Sequence, residues 1–312
     1  MSGLQPDILH RIGNTSLVPL RYIVPRSGAR IVLKIESENP TGSIKDRQAL
    51  AMIEEAEADG RLGPGGAIVE YTGGSTGVSL ALVCAIKRHP FYVVSSDAFA
   101  CEKLDHMRIL GGKLHVVESD MGRMTEKLTR DMIEAARRIA EETGAYWTDQ
   151  LNNLDQLVAY RKMGEEIWSQ TEGPIDAFVQ SVGTAGSLRG VGEVLRDRNG
   201  NIRIVAVEPS ESAVLSGGAT GAHQIDGVGA GFVVPLWYPE IADAVEQVST
   251  ANAISMALRL ATEEGLFAGT STGANLIAAL RTAEQLDAGS TVVTLMCDTG
   301  MKYLKKFGSG DL

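Results

Sequence analysis

The sequence predicts an α/β fold of about two domains, with parallel sheets flanked by helices. Three observations lead there. Runs of β-branched and apolar residues alternate with helical patterns along the chain, as in βαβ units. The 312 residues, 44% of them hydrophobic, are enough for a substantial core and about two domains. The 35 glycines cluster where strand patterns give way to helical ones, as tight connections that approach a ligand require.

The elements follow in order. Ile31-Val32-Leu33-Lys34-Ile35 reads as a strand, and Ala49 to Ala58, rich in Ala, Glu and Met, as a helix ending near Gly60. Ala67 to Glu70 is a strand closing on a glycine-rich turn, Val78 to Arg88 a helix and Tyr92 to Ser95 a strand. Glu102 to Leu110 is expected to be helical, Lys113 to Val117 extended, and Thr125 to Thr143 a long helix. Ala177 to Gln180, Arg203 to Val207 and Thr291 to Met296 read as buried strands. The Asn- and Asp-rich run Gln150 to Asp155 reads as a loop and a domain boundary.

Composition narrows the function. A net charge of −10 gives no counterion-release energy on nucleic acid. The three cysteines, Cys84, Cys101 and Cys297, are odd in number and have no metal-ligand spacing, which suits a reducing compartment. No Cys/His cluster suggests a metal. Residues Met1 to Asp7 lack a basic region followed by an apolar run, and the apolar stretch from Val78 to Ile86 is too short to span a bilayer. The expectation is a soluble cytoplasmic protein with no membrane, nucleic-acid or metal partner.

Five segments carry candidate chemistry. In Asn39-Pro40-Thr41-Gly42-Ser43-Ile44-Lys45-Asp46-Arg47, turn signals precede a helical pattern, so Lys45 sits at or just inside a helix N-terminus. The positive end of the helix dipole disfavours an ammonium there and favours a nucleophilic amine. The plainer reading is a solvated lysine paired with Asp46 or a nearby acid. Glu70-Tyr71-Thr72-Gly73-Gly74-Ser75-Thr76-Gly77 joins a strand to a helix, and successive N–H groups plus hydroxyls there suit a carboxylate or phosphate. Val182-Gly183-Thr184-Ala185-Gly186-Ser187 repeats that logic without a Walker or dinucleotide pattern. Gly227 to Phe232 and Gly269-Thr270-Ser271-Thr272-Gly273 are two further glycine loops. A plainer role for Ser271 is to cap a helix starting near Gly273. The five histidines are scattered.

Taken in order, these segments resemble the cysteine synthase and cystathionine β-synthase family of fold-type-II pyridoxal-phosphate enzymes. Ile12 to Leu20 resembles the family's opening, and Asp298-Thr299-Gly300 with Tyr303-Leu304 extends the match near the end of the chain. The resemblance implies a two-domain, tryptophan synthase β-like fold. Residues 1–12 and 36–150 would form the smaller N-terminal domain and residues 13–35 and 151–312 the C-terminal one, with the cofactor in the cleft between them. It implies a homodimer. Lys45 would carry pyridoxal 5'-phosphate as a Schiff base and act as the catalytic base. Gly183, Thr184, Ala185, Gly186 and Ser187 would hold the phosphate, Ser271 would face the pyridine nitrogen, and Ser75 would approach the ring oxygen. Thr72, Gly73, Ser75, Thr76, Gln150 and Gly229 would line the substrate side. The implied reaction is β-replacement, in which an amino acid such as O-acetylserine loses its β-substituent and sulfide or a thiol adds, a transferase or lyase of amino-acid biosynthesis. Alternatives on the same cofactor are β-elimination, as in a cysteine desulfhydrase or serine dehydratase, or a specialised β-substituted alanine synthase. The chain departs from the family in Gly73 where Ser is usual, Ser75 where Asn is usual, Ala185 where Gly is usual and Ser187 where Thr is usual.

Overall fold

A computed structural model describes residues 6–121 and 126–308. In chain order the elements are β1 (Leu17–Pro19), β2 (Arg30–Ile35), α1 (Lys45–Ala58), β3 (Ile68–Tyr71), α2 (Ser75–Lys87), β4 (Phe91–Ser96), α3 (Cys101–Ile109), β5 (Lys113–Val117) and α4 (Glu126–Thr143). Then come β6 (Tyr146–Trp147), α5 (Gln156–Gln170), β7 (Ala177–Ser181), α6 (Gly186–Arg198), β8 (Arg203–Pro209), β9 (Ala244–Val248), α7 (Thr250–Glu264), α8 (Thr270–Ala283), β10 (Thr291–Met296) and α9 (Leu304–Gly308). The chain divides into two compact units, residues 1–12 with 45–156 and residues 13–44 with 157–312.

The first unit is built on a parallel sheet in the order β5-β4-β3-β6. Successive strand side chains face opposite sides. Ile68, Phe91 and Val93 therefore pack with Met52, Ile53 and Leu80 of α1 and α2, while Val69 and Val94 pack with Leu128, Met132 and Ala136 of α4. Covering both faces is why β3 and β4 read as nearly unbroken apolar runs.

The second unit carries a sheet in the order β1-β2-β10-β7-β8-β9, parallel except for the antiparallel β1–β2 pair. Ile31, Leu33, Val179, Val205 and Val292 pack with Leu260, Ala274 and Ala278 of α7 and α8. Helices α5 and α6 pack closely because Gly190 lies against Tyr160. A Cβ at residue 190 would sit 2.6 Å from the Tyr160 Cβ.

Several boundaries differ from expectation. Helix α1 begins at Lys45, four positions before Ala49. The chain enters it through a turn at Gly42, φ +71°, and the Ile44 N–H bonds the Cys297 carbonyl at 2.8 Å. That bond and the Ser43–Asp298 bridge hold residues 36–44 with the second unit, so the crossing lies after Ile44 and not after Ile35. The other crossing falls after Gln156 and not after Gln150. The Gln156 side-chain amide donates to the Gln150 and Asn153 carbonyls, at 2.7 and 2.8 Å, and keeps that loop in the first unit. Thr125, expected to start the long helix, lies outside the described residues. Helices α5, α7 and α9 and the short strands β6 and β9 were not anticipated. The signal for α5 was present, since Leu157, Tyr160, Met163 and Ile167 recur at helical spacing and all are buried. Among the described residues no helix is long and apolar enough to cross a membrane, and the three cysteines are free.

Candidate active site

Open parallel sheets present their ligand-binding loops at the carboxyl ends of their strands. In the first unit, the segments following β3, β4 and β6 leave the sheet at that end. Residues 72–74 follow β3, and α2 begins at Ser75 with Gly74 as its N-cap. Gly74 offers no side-chain cap to this thirteen-residue helix, and the Gly77 N–H closes its first turn on the Gly74 carbonyl at 3.2 Å; the positive end of such a helix suits an anion. The Thr72 N–H extends the ladder to the Val94 carbonyl at 2.8 Å, and the Thr72 hydroxyl oxygen accepts the Gly74 N–H at 3.3 Å. Thr72 and Thr76 are buried, and Ser75, the first residue of α2, is half-buried.

Gly73 has a spatial reason. A Cβ there would lie 2.0 Å from Cγ of Phe99, so the Phe99 ring already fills the place of a side chain at residue 73. Phe99 comes from the connection after β4. A serine at residue 73 cannot share that space while the ring stays where it is.

Lys45 is the first residue of α1 and is half-buried. Its neighbour Asp46 is fully buried, with Oδ1 2.6 Å from the Ser79 hydroxyl, which also lies 2.9 Å from the Ser75 carbonyl. Asp46 thus ties the start of α1 to the first turn of α2.

Gln150 is held from several directions. Its N–H donates to Glu70 Oε2 at 3.0 Å, and its Nε2 donates to the Tyr71 carbonyl at 3.3 Å. Glu70 is fully buried and also accepts the Thr148 hydroxyl at 2.6 Å and the Tyr71 N–H at 2.9 Å. Loss of hydration pushes its pKa up to about 7. The hydrogen bonds from Thr148 and Gln150 pull it down, and the nearby Asp149 charge raises it.

In the second unit, residues 182–185 link β7 to α6, which begins at Gly186. Gly183 can only be glycine, because a Cβ would stand 2.4 Å from the Gly227 carbonyl oxygen. Ala185 is the N-cap of α6 at φ +70°, a left-handed conformation that glycine adopts without strain. That accounts for the glycine usual at this position. The Thr184 hydroxyl oxygen accepts the Gly186 N–H at 3.2 Å, and Ser187, in the first turn of α6, is buried. Gly229 is at φ +64°, and its N–H bonds the Val182 carbonyl at 3.1 Å, bringing its loop to the start of the Gly183 turn.

Ser271 is buried in the first turn of α8, which begins at Thr270 with Gly269 as N-cap. The expectation of a Ser271 cap on a helix starting near Gly273 is therefore corrected. The helix starts at Thr270, which puts Ser271 inside its first turn, and residue 269 is glycine because a Cβ there would lie 2.3 Å from Asp298 Oδ1.

The structure thus groups Lys45, Thr72, Gly73, Ser75, Thr76 and Gln150 in one unit, and Gly183, Thr184, Ala185, Gly186, Ser187, Gly229 and Ser271 in the other. Sequence reasoning missed Glu70, Phe99, Gln180 and Asn275. Glu70 and Gln180 were visible as polar residues within otherwise apolar strands, and such residues are buried only with partners.

Comparison with known proteins gives a consistent result. The model of the pyridoxal-phosphate dependent enzyme family matches residues 8–298. A cysteine synthase of Staphylococcus aureus is 40% identical over 300 residues, covering 96% of this chain and 95% of the relative. The crystal structure of an O-ureido-L-serine synthase superposes with a TM-score of 0.93 at 35% identity, covering 99% of this chain and 97% of that one. The O-acetyl serine sulfhydrylase isoform 3 of Entamoeba histolytica gives 0.91 at 34% identity, covering 97% and 91%. With the family model spanning most of the chain and a 40% identical relative spanning nearly all of it, this chain belongs to the pyridoxal-phosphate dependent enzymes.

Proposed function

We propose that this enzyme catalyses β-replacement on an amino acid with a β-leaving group, joining the amino-acid skeleton of a substrate such as O-acetylserine to sulfide or another thiol. The observation that carries the reading is Lys45 at the first residue of α1, backed by the buried Asp46–Ser79 contact to the loop helix α2. The cysteine synthase and O-acetyl serine sulfhydrylase relatives support replacement over elimination.

The residues suit the cofactor. The Gly183 turn leaves no room for a Cβ, and α6 offers N–H groups beside the Thr184 and Ser187 hydroxyls, a donor set without a negative charge that matches a phosphate. When bound, the cofactor supplies the electron sink that makes an α-proton acidic and lets a β-substituent depart. Lys45 Nζ takes that α-proton and returns one after the nucleophile has added. Its place in the field at the start of α1 favours the neutral amine that this role needs. Thr72, Gly73, Ser75 and Thr76, with Gln150, hold the substrate carboxylate through N–H and hydroxyl donors. Gly229 lines the substrate side. Ser271 would offer the pyridine nitrogen an uncharged hydroxyl, which would keep the electron sink mild. Ser75, shorter than the usual Asn, would turn its hydroxyl toward the ring oxygen.

A homodimer and a cytoplasmic location belong to the same proposal. The family resemblance supports the first and three free cysteines the second. Borohydride reduction followed by peptide mapping tests the central claim, with the modified peptide expected to contain Lys45. Incubation with O-acetylserine and sulfide should yield cysteine and acetate. A label elsewhere, or pyruvate with no cysteine, would overturn the proposal.

A further inference from the structure

We infer that Gln180 and Asn275 are positioning residues that aim the Ser187 hydroxyl proton at a bound phosphate. The inference rests on the reading of residues 183–187 as the phosphate loop. Its basis is a chain of buried amides in which each orientation is forced by the one before.

The chain starts at a group that can only donate. The Ser181 backbone N–H bonds an Asn275 side-chain atom at 2.7 Å, which must therefore be the amide oxygen. The other end of that amide is then the NH2 group. It donates to Gln180 Oε1 at 2.8 Å and to the Leu295 carbonyl at 3.1 Å, and so uses both hydrogens. With its oxygen committed to Asn275, Gln180 turns its own NH2 to the Ser187 hydroxyl at 3.2 Å and to the Cys297 sulfur at 3.6 Å. Asn275 is 0% exposed, Gln180 3% and Ser187 9%, so water does not scramble these assignments.

The consequence falls on Ser187. A hydroxyl whose lone pair receives an amide hydrogen cannot give its own hydrogen to the same group. Among the described residues Gln180 is the hydrogen-bond partner of this hydroxyl, so its proton is kept for a ligand. Ser187 lies in the first turn of α6, where backbone N–H groups also lack intrahelical partners. Without the relay the hydroxyl would divide its time between donating and accepting, and only one of those states suits a phosphate. No member of the relay is charged, so it works at any pH at which the protein folds.

Asn275→Asp reverses the relay without touching Ser187. Both carboxylate oxygens accept, one from Ser181 and the other from Gln180. Gln180 must then turn its oxygen to Ser187 and capture the hydroxyl proton. Gln180→Met is an uncharged second variant that removes the relay and keeps the volume. Affinities of the apoprotein for pyridoxal 5'-phosphate and for pyridoxal, which lacks the phosphate, are measured by calorimetry, with Ser187→Ala as reference. Asn275→Asp should weaken the phosphorylated ligand at least tenfold and pyridoxal less than twofold. That loss should vanish in the Ser187→Ala background, because the two changes remove one interaction. Gln180→Met should cost a few-fold with the same non-additivity, and it carries the test if Asn275→Asp does not fold. Losses that multiply across the two positions, or pyridoxal weakened as much as its phosphate, refute the relay and leave the phosphate loop standing. If Ser187→Ala itself leaves phosphate affinity unchanged, the phosphate-loop reading fails and the relay falls with it.

Discussion

Glu70→Gln should alter how stability depends on pH. Glu70 is fully buried and its pKa is pushed up from 4.5 to about 7, chiefly by loss of hydration. A carboxyl whose native pKa lies above its unfolded value binds protons more tightly when folded. Its contribution to stability is therefore complete below about pH 4.5 and is lost as pH rises through about 7. At 1.36 kcal/mol per decade, the interval amounts to about 3 kcal/mol, of which about 2–3 kcal/mol falls between pH 5 and pH 8. Glutamine does not titrate. It sets an NH2 group against donors, since the carboxyl accepts from Thr148, Tyr71 and Gln150, and this costs about 1–3 kcal/mol at every pH. In urea unfolding of the apoprotein, the wild type should be clearly more stable than Glu70→Gln at pH 5. The gap should close, or reverse, by pH 8. A gap constant across that range would mean that Glu70 does not change protonation there, and the reasoning would be wrong.

Four further outcomes are expected. Lys45→Ala should lose almost all turnover, at least a thousandfold, while its circular dichroism stays that of the wild type. Ala185→Gly should raise stability by about 1 kcal/mol by relieving the left-handed backbone at φ +70°, read as a higher urea midpoint; an unchanged or lower midpoint would refute the strain. Gly73→Ser should weaken amino-acid binding about tenfold or more because of the Phe99 ring, and Phe99→Ala should restore it; tolerance of serine with Phe99 present would show that the ring yields freely. Ser271→Asp should depress the β-replacement rate and change the cofactor spectrum, because a carboxylate holds a pyridinium by a charge-assisted bond; wild-type behaviour would remove Ser271 from the ring nitrogen.

By itself the sequence determined the alternation of strand, glycine loop and helix, and the places where an anion could be held. Those features are local. Period-2 and helical patterns, turn residues and Gly-rich connections register within a few positions of one another, so Ile31 to Ile35, Lys113 to Val117 and Thr291 to Met296 were legible as strands and the Gly183 turn as a loop suited to an anion. Only the tertiary structure decided the rest, because through-space contacts between distant residues leave no local trace. Gly73 is glycine on account of a ring from the connection after β4. Glu70 is satisfied by a hydroxyl 78 residues away, and Gln180 is oriented by an amide 95 residues away. The crossing after Ile44 depends on Cys297, and the one after Gln156 on a side-chain amide that reaches back to Gln150. A buried polar residue announces in the sequence that it needs a partner, but folding alone decides which partner it finds and which way the shared hydrogen points.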